Sequence, residues 1–202
     1  HAVYLSQFQL LPYERIAGYF AELAGLPISP GSLCNFNQKA YDLLEDFDAI
    51  AKRQLIAGSS LTSTVVNADE TGINVNGHTL WLHVASNAQW AYFHPHPARG
   101  KEAMDEIGIL PHFKGILCHD HWKPYFRYED CRHALCNAHH LRELTRASEQ
   151  DQQQWAARMA ALLSDMRDLV ETAGGALSEA AAAPLVERYR NTLAQGDDEC
   201  PR

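Results

Sequence analysis

The order of short β-prone runs between residues 61 and 148 limits this chain more than any other feature. Thr64-Val65-Val66-Asn67-Ala68 is β-prone and leads to Asp69. Asn76-Gly77 is a strong hairpin signal. His78 to Ser86 alternates and is rich in β-formers, so it reads as the second strand. After a turn at Asn87-Ala88, Gln89 to His94 reads as a third strand. Gly100 to Ile107 suits a short helix, and Lys114 to His119 is an apolar run of the kind that makes a buried strand. Pro124 to Tyr128 suits a short helical turn. Arg132 to Cys136 is a further short strand leading into a helix over Ala138–Ser148.

The flanks are helical. Residues 12–58 read as two helices. The first lies near Pro12–Ala24, with Ile16, Tyr19, Phe20 and Leu23 on one face, and stops at Gly25. Ser29 fits the cap of the second and Pro30 its first position. Leu33, Phe36, Ala40, Leu43, Leu44, Phe47 and Ile50 then follow at helical spacing, with an end expected near Gly58-Ser59-Ser60. Such a pair is either a helix-turn-helix that reads DNA or a hairpin packed on the core. Asp42, Glu45, Asp46 and Asp48 would repel phosphates, which favours the hairpin. Downstream, Gln152 to Thr172 carries a stripe of Trp155, Met159, Leu162, Leu163, Met166, Leu169 and Val170, read as core packing. Gly174-Gly175 breaks it, an Ala-rich helix over Ala180–Leu193 follows, and Gly196 to Arg202 reads as a polar, structureless end.

Three sequential strands joined by tight turns form an antiparallel meander. The later two arrive through crossovers and can pair in parallel. The expected fold is therefore α/β (α+β): a ribonuclease-H-like mixed five-stranded sheet with flanking helices, preceded by a helical hairpin and followed by a helical insertion. The expected domains are a helical region 1–60, a core 61–148 and a helical segment 149–202.

The charge is uneven. The whole chain carries −8, which argues against a simple DNA-binding module. Residues 114–146, with 6 Lys/Arg against 4 Asp/Glu, are the one net-basic stretch. Nucleic acid, if bound, is expected there first. Lys123, Arg127 and Arg142, with Arg132 and Arg146, are the candidates for phosphate-backbone contacts; the competing reading is ordinary solvated side chains. Five cysteines, irregularly spaced, make no disulfide framework and suit a reducing cytoplasm. There is neither a signal peptide nor an apolar run near 18 residues, so a membrane partner is not expected. Beginning at His1, the chain reads as a piece of a longer protein.

Chemistry centres on two acids. Asp69 closes TVVNAD and Asp120 closes GILCHD. If those strands are parallel neighbours, both carboxylates emerge at one edge of the sheet. Such a pair repels unless a cation lies between, and hard oxygen ligands suit Mg²⁺ or Mn²⁺. Two such ions about 3.5–4 Å apart can activate a water or 3′-hydroxyl and stabilise the leaving oxygen of a phosphodiester. The competing reading is that each Asp merely caps a strand or turn.

Several segments together resemble a known family. Ala68-Asp69-Glu70-Thr71-Gly72, followed by a hairpin bearing Leu80-Trp81-Leu82-His83-Val84, looks like the first catalytic block of DDE transposases of the insertion sequence 66 family of bacterial mobile elements. Arg99-Gly100, then Gly115-Ile116-Leu117-Cys118-His119-Asp120 with Tyr125 just after, resembles the second block. Cys136-Asn137-Ala138-His139 and Leu141-Arg142-Glu143-Leu144 are similar to its Cys-x-x-His and following signature. Leu11-Pro12 and Ile28-Ser29 look like the helical region that precedes its catalytic core.

The resemblance, over roughly residues 10–195, implies a polynucleotidyl transferase that cleaves and joins DNA during transposition. Asp69 and Asp120 would be the first two catalytic acids and the Mg²⁺ ligands. Element ends and target DNA would be the partners; a homo-oligomer is compatible, and the setting would be the bacterial cytoplasm and nucleoid. The third acid of the family, a Glu in an Asn-Asn-x-x-Glu-Arg motif, has no counterpart here. Glu187-Arg188 matches only the end of that motif, and Glu143 is a poor substitute on pattern. The expectation is a third acid beyond Arg202 and a fragment inactive alone. A rival reading starts from Cys118, His119, His121, Cys131, His133, Cys136, His139 and His140, close together in sequence. A zinc-stabilised or helix-turn-helix module without catalysis would use some of these, yet no paired Cys/His frame is present. Cys136 and His139 would otherwise support the acids from behind, or simply pack.

Overall fold

The computed structural model describes residues 1–57 and 64–200. The expected end of the second helix at Gly58-Ser59-Ser60 and the boundary between residues 60 and 61 lie outside the described residues. The mixed five-stranded sheet expected from the sequence is present, with strand order β3-β2-β1-β4-β5. In chain order these are β1 (Val65–Val75), β2 (His78–Ser86), β3 (Ala91–His96), β4 (Ile116–His119) and β5 (Arg132–Leu135). The chain divides into two compact units, His1–Gly115 and Ile116–Arg202.

In the first unit a π-helical turn at Tyr4–Phe8 precedes α1 (Tyr13–Ala24), α2 (Pro30–Leu43) and α3 (Glu45–Ala57). Ser29 caps α2 as the sequence suggests: its hydroxyl accepts the Ser32 N–H at 3.1 Å, and Pro30 opens the helix. The single long second helix, however, is two. The break falls at Leu44, whose φ of −93° and ψ of 0° leave the helical region. Glu45, Asp46 and Asp48 then occupy the first turn of α3, where the helix dipole favours acids. The break resets the helical phase, so the apolar face read across both halves does not stay on one side. Leu33 is buried, but Leu43, Leu44 and Phe47 are exposed, and α3 buries Ala51 and Leu55 instead.

The strands β1 and β2 form a long antiparallel hairpin from Asn67↔Ser86 to Val75↔His78. Its turn needs left-handed backbone at both central residues. Asn76 (φ 53°) and Gly77 (φ 82°) supply it. β3 pairs antiparallel to β2, completing the expected meander. It carries Pro95 on the sheet's edge, where a missing backbone N–H is tolerated. The short helix α4 (Lys101–Ile107) follows, burying Ala103, Met104 and Ile107.

In the second unit, β4 and β5 pair in parallel, from Ile116↔Arg132 to His119↔Leu135. A 3-10 turn, Tyr125–Arg127, lies between them. Three helices complete it: α5 (Asn137–Glu149), α6 (Gln154–Thr172) and α7 (Glu179–Glu199). Leu144 of α5, Ala156, Met159 and Leu162 of α6 and Leu185 of α7 form one apolar core, flanked by Trp155, Leu163 and Met166. The α6 stripe is thus packing, as read, although its last part opens to solvent at Leu169. Pro201 and Arg202 lie outside the described residues; Gly196 to Glu199 of the polar end are helical, because α7 runs through them. Glu199 explains why. Its Oε2 accepts the N–H groups of Gln154 (2.8 Å) and Trp155 (3.1 Å), and its Oε1 pairs with Arg158 at 2.6 Å. The carboxylate caps the start of α6, so the end of α7 is held by a contact that no local pattern reveals.

Candidate active site

Asp69 lies inside β1 rather than at its end, because β1 continues through Gly72 to Val75. Burial alternates along the strand: Val66, Ala68 and Glu70 point into the protein, Val65, Asn67 and Asp69 outward. Asp69 is therefore an exposed carboxylate on a rigid hairpin, opposite Val84. One of its oxygens accepts the Glu70 N–H at 2.9 Å.

Behind Asp69, on the buried face, a charged cluster escaped the sequence reading. The Glu70 side chain is 1 % accessible and takes two bonds from Arg99, at 2.8 Å from Nη2 and 2.9 Å from Nε. The Arg99 guanidinium also lies 4.7 Å over the Trp81 ring. Nearby, buried His96 binds Glu106 at 3.0 Å through Nε2, and its Nδ1 lies 3.1 Å from the Ala98 carbonyl, to which the protonated ring donates. Burial alone would lower the His96 pKa, but the Glu106 and Ala98 hydrogen bonds outweigh it and raise the value. Buried His83 contacts the Ala98 carbonyl through Nε2, at 3.2 Å. The Asp-Glu-Thr-Gly run singled out Asp69; only the alternation of β1 could have flagged Glu70 as inward-facing.

Asp120 follows β4 directly. Its Oδ1 accepts the Trp122 N–H at 2.9 Å, closing a tight turn over His121. Both sequence-selected acids thus have one oxygen held by a backbone N–H two residues or fewer ahead. Before Asp120, His119 is fully buried, stacked on Tyr125 with ring centres 4.8 Å apart and bonded to His133 at 2.8 Å. Burial lowers its pKa, and the neighbouring His133 adds to this. His119 is a packed core residue.

Cys136 caps α5 through its backbone only; its N–H donates to the His119 carbonyl at 2.8 Å. His139 lies in the first turn of α5, and its Nδ1 is buried with no hydrogen-bond partner among the described residues. Lys123, Arg127 and Arg142 are all exposed. Arg127 ends the 3-10 turn, and the Arg142 Nε donates to the Ala138 carbonyl within α5.

The Cys/His cluster does not act as one group. Cys131 is buried and donates to the Tyr128 carbonyl. Burial raises the Cys118 thiol pKa, and neighbouring Cys136 adds to that. His119 and His133 pair with each other. Among the described residues one set of metal-compatible side chains does come together: His121, His140 and Glu143. Burial lowers the His140 pKa, with His121 adding to the effect.

No described helix is long and apolar enough to cross a membrane. A family model described as "Transposase IS66 family" matches residues 1–199. No curated protein matches the chain. Among solved structures, the integrase catalytic core domain of HTLV-2 in complex with magnesium, in a dimeric form, shares 11% identity. It aligns with a TM-score of 0.30 over 45% of this chain and 74% of that one, a likeness too slight to carry an inference.

Proposed function

This chain belongs to the IS66 family of transposases, and from that premise we propose that Asp69 and Asp120 are two acids of a metal-dependent DNA cleavage and strand-transfer centre. The observation that carries the reading is the family match, which spans both acids and the Cys136-x-x-His139 segment. The geometry of each acid supports it. Asp69 is exposed on β1, and Asp120 is half-buried just after β4. A backbone N–H pins one oxygen of each. Such a carboxylate is oriented, yet keeps oxygen lone pairs for a cation.

The donor set suits Mg²⁺ or Mn²⁺, because both side chains offer hard oxygens. Those ions, when bound, would supply Lewis-acid activation at a phosphodiester. The role of this chain's residues is to hold and orient. Asp69 rides on the paired hairpin, and Asp120 on a turn closed by its own side chain. DNA, at element ends and target, is the proposed partner. Lys123, Arg127 and Arg142 would touch phosphates and position the strand without reading sequence. Cys136 and His139 stand at the entry of α5 and would steady the segment behind the acids. Residues 1–60, 61–148 and 149–202 would act as helical entry, core and insertion. The third acid is assigned outside these 202 residues, since the family's Asn-Asn-x-x-Glu-Arg motif does not occur within them. Action in the cytoplasm, and a homo-oligomer at paired element ends, complete the proposal.

Manganese titration followed by electron paramagnetic resonance tests the acid assignment. Asp69→Asn and Asp120→Asn should each weaken Mn²⁺ binding by tenfold or more at unchanged helix content. Equal binding by wild type and both variants would overturn it.

A further inference from the structure

His121, His140 and Glu143 come from two separate elements. His121 lies in the turn that Asp120 closes over it; His140 and Glu143 are three residues apart on α5, one face of a helix. Their nearest nitrogen and oxygen atoms all fall within 4.8 Å of one another. The His121 Nε2 is 3.4 Å from the Glu143 carboxylate, and the His121 and His140 rings meet edge-on at 4.9 Å between centres.

We propose that these three residues form a site for a late first-row divalent transition metal, Zn²⁺ by preference, distinct from the hard-cation site assigned to Asp69 and Asp120. Donors bound about 2.1 Å from one tetrahedral ion stand about 3.4 Å apart. The His121–Glu143 separation already has that value. His121 and Glu143 are exposed, so small side-chain rotations bring the wider separations in. Two imidazoles and one carboxylate are a donor set that zinc accepts while keeping a position open. Imidazole nitrogen also discriminates against Mg²⁺, which prefers oxygen.

The consequence is mechanical. His121 sits between Asp120, whose carboxylate closes the turn, and Trp122, whose N–H it binds. An ion on His121 and on α5 would tie that turn to the helix. The three ligands would be positioning residues for Asp120.

Cobalt(II) is the probe, because its visible spectrum reports both coordination and donor type. Added to the intact chain, it should give one equivalent of an intense, tetrahedral-type absorption that Zn²⁺ removes and millimolar Mg²⁺ leaves in place. His121→Asn, His140→Ala and Glu143→Gln should each weaken Zn²⁺ binding by tenfold or more. His121→Asn changes an exposed side chain, so its result stands even if His140→Ala folds poorly. Asp69→Asn should leave Zn²⁺ binding unchanged, separating this site from the other. Equal Zn²⁺ binding by His121→Asn and wild type would overturn the proposal. So would a near-ultraviolet thiolate-to-cobalt band, which would move the ion to Cys118 and Cys136.

Discussion

Asp69 and Glu70, adjacent on β1, send their carboxylates to opposite faces of the strand: Asp69 is exposed, while the Glu70 side chain is 1 % accessible and bound to Arg99 at 2.8 Å. One peptide step separates an acid free to meet a cation from an acid committed to the protein's own interior.

Their amide variants should therefore behave in opposite ways. Asp69→Asn should melt within a degree or two of wild type yet lose Mn²⁺ binding. Glu70→Gln should keep Mn²⁺ binding and lose stability. Breaking a fully buried pair costs about 3–5 kcal/mol. The Arg99 side chain is 40% exposed, so solvent shares the charge and about 1–3 kcal/mol is expected. Urea melts of both variants check this; a stable Glu70→Gln would mean that the pair contributes little.

Gly115 is the tightest glycine of the first unit. A Cβ there would stand 2.5 Å from the Thr64 carbonyl and 2.7 Å from the Phe113 ring. The ring can turn aside, but the carbonyl belongs to the backbone just before β1. Gly115→Ala should destabilise by about 1–3 kcal/mol, the range for overpacking. The readout is the denaturation midpoint, and an unchanged midpoint would refute the close approach.

Glu199 gives a pH prediction. Its pKa is lowered, first by the Trp155 N–H, then by Arg158 and the Gln154 N–H. A depressed carboxyl stabilises the fold above its unfolded value, 4.5, and that contribution is lost as pH falls through the folded value. Wild type should melt above Glu199→Gln at pH 7, and the gap should close as the pH is lowered from 5 toward 3. A gap that persists at low pH would show that the charge is not the cause.

His96 has the opposite sign. With Glu106 as partner its pKa is raised above 6.5. Its contribution is complete below pH 6.5 and is lost as pH rises through the folded value. Glu106 is 68% exposed, so the effect should stay below about 1 kcal/mol. Thermal melts of wild type and Glu106→Gln at pH 6 and pH 9 should differ only at the lower pH.

The strand block was legible because β-branched runs and the tight turns at Asn76-Gly77 and Asn87-Ala88 are local signals. They gave the meander, the parallel pair and Asp120 directly after β4, but not the continuation of β1 past Asp69 to Val75. What was not legible depended on distance or phase. The break at Leu44 hides inside a continuous apolar spacing, and only the acids after it hint at a new helix start. The last turns of α7 look polar and loose until Glu199 is seen to cap α6 from 45 residues away. Glu70 and Arg99 lie 29 residues apart, beyond any local pattern. Among the eight clustered Cys and His residues, spacing could not show that His121 and His140 would join Glu143 while His119 turned inward to His133.

The Asn76-Gly77 turn also bears on how the chain acquires its shape. Each contact of that hairpin closes a loop of 19 residues or fewer, so the entropy lost in forming it is small. Isolated hairpins zip within about 1–10 μs. The β1 register, and with it the outward aim of Asp69, can thus be established early, before slower pairing between residues farther apart in sequence.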